Sequence, residues 1–458
     1  MTKSAKEEKT INIRELVLGI LMEVLEQDNY SNVVIHNTLM KYQYLEKQDR
    51  AFLSRLSEGC VERCIELDYI IDSFSKVKVK KMKAPIRNIL RMGVYQILYM
   101  NQVPDSAACN ESVKLAQKKG FVNLKGFVNG VLRNVSRNKD SLVFPDKQKE
   151  AKRYLEVVYS CPEWIIDLWL KEYTFEEVEV ALKSFMEAKT TTIRCNTSKL
   201  TVEELKERLT KEGITIEAGE YLPYALKIKD YNYLNRVEAF REGLFQVQDE
   251  SSMLIAQAAG IKENNVIMDV CAAPGGKTTH CAELLKGTGT VISRDLTEYK
   301  VSLIEENVER LGLLNVTAQV QDALELCKED IGKADIVIAD LPCSGLGVIG
   351  KKADIKYKTK PEDVDSLGSL QREILSVVSQ YVKPGGVLIY STCTVNKTEN
   401  MDNRNWILEK LPFEAESLDK YLPEILHGET TKEGYLQLFP GKHNCDGFFL
   451  SRFRKKSE

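Results

Sequence analysis

The sequence predicts a multidomain chain. An all-α domain is expected over residues 1–145, a connector with a small α+β subdomain over 146–245, and a doubly wound α/β domain over 246–458. Two changes of pattern carry this reading. Up to about residue 140 apolar residues recur at helical spacing, and after about Gly243 strand-length apolar runs alternate with helical segments. The length of 458 residues agrees, since it accommodates about three domains at ~150 residues each.

Within the first part, Ile13, Leu16, Val17, Ile20, Leu21, Val24 and Leu25 form an amphipathic stripe. Similar patterns over 51–67, 84–100, 107–117 and 121–135 predict further helices, with Pro85 starting the one at 84–100. Residues 141–165 read as a connector. The next stretch mixes helices near 176–187 and 202–212 with strands at 192–196, 214–216 and 225–228. Parallel strands are expected at 266–270, 290–293, 316–320, 334–339 and 386–390, and antiparallel edge strands at 413–418 and 447–453.

Composition narrows the function classes. No run of ~18 apolar residues is present, so no membrane span is expected. The first ten residues are polar and lysine-rich without the apolar core of a signal peptide, so a cytoplasmic protein is expected. Eleven cysteines, with no Cys-x-x-Cys pair, fit free thiols better than a disulfide framework. The four histidines are scattered, and no metal site is expected. Cys60 and Cys64 lie in a helical pattern and read as buried. Residues 1–145 carry 23 Lys+Arg against 16 Asp+Glu, although the whole chain has a net charge of −3. A basic module joined to an acidic one points to a polyanionic partner, or to a solvated surface. The cluster Lys76, Lys78, Lys80, Lys81 and Lys83 is open to the same two readings.

The chemistry lies at the strand ends. Asp269, Asp295, Asp322, Asp340 and Cys393 each fall at or just beyond the C-terminal end of a different expected strand, where open α/β sheets bind ligands. Between two of them runs Cys271-Ala272-Ala273-Pro274-Gly275-Gly276-Lys277-Thr278. Its glycines permit close backbone approach, and the helix that follows offers free N–H groups. Gly276-Lys277-Thr278 matches the end of a Walker A loop, but Cys271 stands where that loop needs its first glycine. Acidic strand ends suit S-adenosylmethionine, with its amino group, ribose hydroxyls and positive sulfonium, better than a triphosphate. Cys343, in Asp340-Leu341-Pro342-Cys343, and Cys393, in Thr392-Cys393-Thr394, then acquire roles. A thiolate adding to carbon 6 of a cytosine makes carbon 5 nucleophilic toward an activated methyl group. Asp340 is placed to hydrogen-bond the ring, and a second thiol to help expel the product.

These blocks closely resemble the signatures of RNA 5-methylcytosine methyltransferases: Cys271–Thr278, Asp340-Leu341-Pro342-Cys343-Ser344-Gly345, and Thr392-Cys393-Thr394 followed by Glu399-Asn400. The stretch 245–252 and the closing Asp446-Gly447-Phe448-Phe449 resemble flanking blocks of that family. Phe127-Val128-Asn129-Gly130-Val131-Leu132-Arg133-Asn134 resembles the antitermination factor NusB. The combination spans nearly the whole chain and resembles the bacterial branch acting on cytosine 967 of 16S rRNA.

The resemblance implies a NusB-like N-terminal domain, a Rossmann-like catalytic domain and S-adenosylmethionine as cofactor. It implies Cys393 as nucleophile and Cys343 as the residue assisting product release. Cofactor contacts would come from Cys271, Ala272, Ala273, Pro274, Gly275, Gly276, Lys277, Asp295, Asp322 and Asp340. Arg194 and Asn196, in an Arg-x-Asn segment, would contact RNA, as would Lys356. The partner would be 16S rRNA or a small-subunit assembly intermediate, and the enzyme a monomer. Two departures stand out: Leu341 replaces a common alanine, and 350–356 replaces a segment often richer in Arg, His and Pro. Two other classes compete. A P-loop ATPase is weakened at Cys271, and a non-enzymatic RNA-binding assembly factor has no need of paired cysteines.

Overall fold

The computed structural model describes residues 11–187, 190–231 and 233–457. The expectation drawn from residues 1–10 lies outside them. The chain divides into two compact units, Met1–Glu172 with Lys352–Lys358, and Tyr173–Lys351 with Thr359–Glu458.

The first unit is helical. Ile13–Glu26, capped by Asn12, buries the predicted stripe at Val17, Leu18, Ile20, Leu21 and Val24. It shares a core with Leu53, Leu67, Ile89, Val94 and Leu132 from later helices. Pro85 sits in the first turn of Ala84–Tyr99, as expected. The pattern at 51–67 resolves into two helices, Lys47–Glu62 and Cys64–Phe74, separated at Arg63 by its non-helical backbone. Ser31–Lys41 is a helix that periodicity missed, because it buries only Val34 and Ile35. The expected connector is folded as well. Ala151–Val158 and Glu163–Trp169 are helices of this unit, too short for their stripes to register in sequence. Segment 352–358 completes the unit: Asp354 accepts hydrogen bonds from the Ser31 hydroxyl at 2.5 Å and the Ser31 N–H at 3.0 Å. The Tyr357 ring packs against the helical core.

The second unit holds two sheets. The smaller is antiparallel, ordered β2-β3-β1-β4, with β1 Thr191–Cys195, β2 Thr215–Ala218, β3 Ala225–Lys229 and β4 Phe245–Val247. In the larger sheet β5 Val266–Asp269, β6 Thr290–Asp295, β7 Val316–Val320, β8 Ala334–Asp340 and β9 Val382–Thr392 run parallel in the order β7-β6-β5-β8-β9. Antiparallel β10 Phe413–Ala415, β11 Tyr435–Leu438 and β12 Phe448–Lys455 complete the edge beyond β9. Of these, β11 was not expected.

Strand alternation builds a core on each face of this sheet. Ile267, Ile336, Ile338 and Ile389 pack on one side, and Met268, Val337, Ala339 and Leu388 on the other. That double burial is why these strands read as continuous apolar runs. It also leaves the C-terminal strand ends as the place where polar groups gather.

Gly243 joins the smaller sheet to the helix Glu298–Leu311. It has φ of +68°, and a Cβ there would lie 1.9 Å from the Arg310 carbonyl oxygen. Gly243→Ala therefore combines left-handed strain with a backbone clash. It is expected to lower stability by at least about 1–3 kcal/mol, read as a lower urea midpoint; an unchanged midpoint would show that the backbone relaxes freely there.

Candidate active site

The parallel strands deliver their terminal residues to one edge. Asp269 ends β5 and is fully buried. One of its carboxylate oxygens accepts a hydrogen bond from Thr278 Oγ1 at 2.8 Å. The other, Oδ1, is buried with no partner among the described residues. Burial pushes the Asp269 pKa up to about 7. The glycine loop leaves this strand. Gly275 has φ of +99°, and the helix Gly276–Leu284 begins directly after it. Asp295, ending β6, ties to the loop by accepting the Ala273 N–H at 2.9 Å, and it pairs with Lys300 at 2.9 Å. Asp322 lies half-buried in the turn after β7 and accepts the Leu324 N–H at 2.9 Å.

Asp340 and the cysteines stand on the other side of β5. Asp340 Oδ2 is 2.5 Å from Lys277 Nζ, and its Oδ1 accepts from Ser391 Oγ at 2.7 Å. Beyond them, Cys343 Sγ and Cys393 Sγ are 3.3 Å apart. The hydrogen bond to Cys393, and then burial, push the Cys343 pKa well above the usual thiol value. Either sulfur can donate in this contact. Burial and the nearby Asp295 likewise push the Cys271 thiol up, which disfavours its thiolate.

A buried polar cluster holds the cysteine loops, and sequence reading assigned it no role. The Glu399 carboxylate is fully buried and accepts from Ser344 N at 3.0 Å, Gln371 Nε2 at 2.8 Å and Asn396 Nδ2 at 2.7 Å. Gly347 N–H donates to the Cys393 carbonyl at 3.1 Å, and Gly447 N–H donates to the Gly347 carbonyl at 2.9 Å. A Cβ on Gly347 would fall 2.0 Å from the Gly447 oxygen, so this close approach requires glycine. Nearness to Thr392-Cys393-Thr394 was a signal for Glu399. None existed for Gln371, which arrives from the separate helix Pro361–Val378.

Next to this clasp lies a cavity of about 430 Å³ whose walls include Thr192, Lys227, Asp249, Lys351, Asn444 and Asp446. Lys351 bridges Asp249 and Asp446, the latter at 2.8 Å.

None of the residues expected to contact RNA is exposed. Arg194 and Asn196 are fully buried in the second unit. Lys356 is 2% exposed in the first unit, where its ammonium donates to the Glu62 carbonyl at 2.7 Å. All three side chains are turned toward protein, where RNA has no access to them. Among the described residues no group of His, Cys, Asp and Glu is arranged to hold a metal ion, and no helix is long and apolar enough to cross a membrane.

The edge fits S-adenosylmethionine. The unpartnered Asp269 oxygen can accept from an ammonium group, and Asp295 stands beside the loop for hydroxyls. Lys277, which a P-loop would aim at phosphates, is committed to Asp340.

Comparison with known proteins agrees. The model of the 16S rRNA methyltransferase RsmB/F family matches residues 256–454, that of the NusB family 11–137, and that of the RsmF/B-like ferredoxin-like domain 161–233. The chain is 36% identical over 451 residues to the probable ribosomal RNA small subunit methyltransferase B of Bacillus subtilis (strain 168), covering 98% of this chain and 100% of that protein. It is 32% identical to the similarly named protein of Synechocystis, covering 97% and 100%. Among solved structures it resembles PH0851, with a TM-score of 0.81 at 26% identity over 97% of this chain and 99% of that one. It also resembles NSun6 from Pyrococcus horikoshii, solved with the S-adenosylmethionine analogue SFG, with a TM-score of 0.56 at 25% identity over 69% and 99%. With such identity running the full length of both proteins, the chain belongs to the 16S rRNA methyltransferase RsmB/F family: it is an S-adenosylmethionine-dependent rRNA methyltransferase with a NusB-like N-terminal domain.

Proposed function

We propose that this enzyme methylates carbon 5 of a cytosine in 16S rRNA, at position 967, through a covalent bond between Cys393 and carbon 6. It does so as a cytoplasmic monomer, where the small subunit is made. The observation that carries the reading is the pair of thiols 3.3 Å apart at the end of a cofactor-binding sheet.

Cys343 donates its S–H toward Cys393, and the Lys277 ammonium, held above its usual pKa against burial by Asp340, Asp269 and Cys393, attracts negative charge to that sulfur. The Cys393 thiolate adds to carbon 6, and a proton from Cys343 neutralises the charge on the ring. S-adenosylmethionine, when bound, would supply the electrophilic methyl group to carbon 5. The Cys343 sulfur then takes the carbon 5 proton, the Cys393–carbon 6 bond breaks, and the ring releases its added proton to solvent. One methyl enters, one proton leaves, and both cysteines return to their starting state. Asp340 supports the ring by hydrogen bonding. The base leaves its stack to reach the sulfur, at a cost of a few kcal/mol that is lower in a loop.

Division of labour between the thiols is the direct test. Cys393→Ala is expected to abolish methylation and any covalent adduct. Cys343→Ala is expected to attack and then stall, leaving a protein–RNA species that survives a denaturing gel. An adduct with Cys393→Ala alone would reverse the roles, and full activity in either variant would remove that cysteine from the chemistry.

For the cofactor, Asp295→Ala is expected to weaken S-adenosylmethionine binding roughly tenfold to a hundredfold, the worth of a charge-assisted hydrogen bond of about 1.5–3 kcal/mol. Calorimetry with unchanged affinity would move the ribose contact elsewhere.

Lys76, Lys78, Lys80, Lys81 and Lys83 are all exposed. Replacing them together with Gln is expected to weaken RNA binding and flatten its dependence on salt, by a slope of about 0.7–0.9 for each phosphate no longer neutralised. Substitution is preferable to truncation because segment 352–358 packs within that unit. Equal slopes for the two proteins would make the cluster a solvated loop.

A further inference from the structure

We infer that Arg194 and Asn196 form a clasp that positions the cofactor loop, so that the Arg-x-Asn pair acts on S-adenosylmethionine affinity and not as an RNA contact. The inference rests on loop 271–277 being the cofactor site.

Arg194 lies in β1 and Asn196 directly follows its last residue, Cys195, so alternation along the extended backbone puts the two on one face. Ile193 and Cys195, on the opposite face, fill the core of the small subdomain. Arg194 has no exposed surface, and its guanidinium is committed on every side. It pairs with both oxygens of Glu283, at 2.6 and 3.1 Å. It donates to the Gly276 carbonyl at 2.9 Å, to Thr279 Oγ1 at 3.2 Å and to the Gln248 side-chain oxygen. Gly276 is the last glycine of the loop, and Thr279 and Glu283 follow on the same side of the helix Gly276–Leu284. One arginine therefore grips the loop at its junction with the helix and holds the helix for two turns.

Asn196 acts on the neighbouring helix. Its amide nitrogen donates to the Gly243 carbonyl at 3.0 Å and to the Leu311 carbonyl at 3.3 Å. Leu311 ends the helix Glu298–Leu311, whose first turn follows Asp295. The two residues thus hold the two helices that leave β5 and β6, the strands ending in Asp269 and Asp295. A planar guanidinium suits this task, since it donates to a carboxylate through two parallel bonds and still reaches a carbonyl. Reaching RNA would require breaking a fully buried ion pair and leaving Glu283 without its counter-charge.

The test separates cofactor from RNA. R194Q leaves a buried carboxylate unpaired and risks misfolding, so the paired variant R194Q/E283Q is measured beside it, with R194K as the conservative replacement. S-adenosylmethionine affinity is read by calorimetry, RNA affinity and its salt slope by fluorescence anisotropy, and KM for each substrate by methyl transfer. The expected result for R194Q/E283Q is roughly a tenfold rise in Kd and KM for S-adenosylmethionine, the size of one charge-assisted hydrogen bond. RNA affinity and salt slope should stay unchanged, and R194K should fall between this variant and the parent. Weaker RNA binding with a flatter salt slope and unchanged cofactor affinity would overturn the proposal. So would a lowered melting temperature with both affinities intact, which would leave Arg194 a purely structural residue. Failure of the cofactor site itself would show separately, as unchanged affinity in both Asp295→Ala and Asp269→Asn.

Discussion

The Lys277 ammonium is the charge on which the active edge depends. A parallel sheet brings Asp269, Asp295 and Asp340 to one rim, together with two thiols, and like charges so gathered repel each other. Lys277 lies 2.5 Å from Asp340, and Asp269 and Cys393 also act on it. Burial works against its charge, but these groups outweigh that effect and hold its pKa above the lysine norm. Asp295 has a cation of its own in Lys300. Asp269 has none in contact, and its carboxyl climbs toward neutrality instead. A lysine that resembles a phosphate-binding residue in sequence thus serves here to balance carboxylates.

Rigidity is supplied from behind. The strands carrying the reactive groups are buried on both faces, which fixes their ends relative to one another. The cysteine loops extend beyond the strands and need separate support. They receive it from Glu399, whose buried carboxylate collects donors from Ser344, Gln371 and Asn396. A buried carboxylate keeps its charge at low cost when it is so fully satisfied. The Gly347–Gly447 contact then fixes the backbone at Cys393 by excluding any side chain from the approach.

The segment between the two cysteine blocks has a second allegiance. Residues 352–358 leave the loop that follows Cys343 and fold with the helical unit, through Asp354 to Ser31 and Lys356 to Glu62. The lysine at 356 completes a helix end, accepting burial in exchange for a carbonyl of Lys47–Glu62.

The sequence by itself determined the local and periodic features. Helical stripes, apolar strand runs, the glycine loop and the acid or thiol at successive strand ends all follow from short-range chemistry, and the described elements match them closely. Weakly striped or short helices, such as Ser31–Lys41 and Ala151–Val158, escaped because so few of their residues are buried. Only the tertiary structure decided which body covers which face. Alternation places Arg194 and Asn196 together, but it does not say whether that face meets solvent, RNA or a helix of the same chain. Likewise, 50 residues separate Cys343 from Cys393, and their contact at 3.3 Å depends on β8 and β9 being neighbours in the sheet. Long-range pairing of this kind is set by global packing and leaves no trace in local spacing.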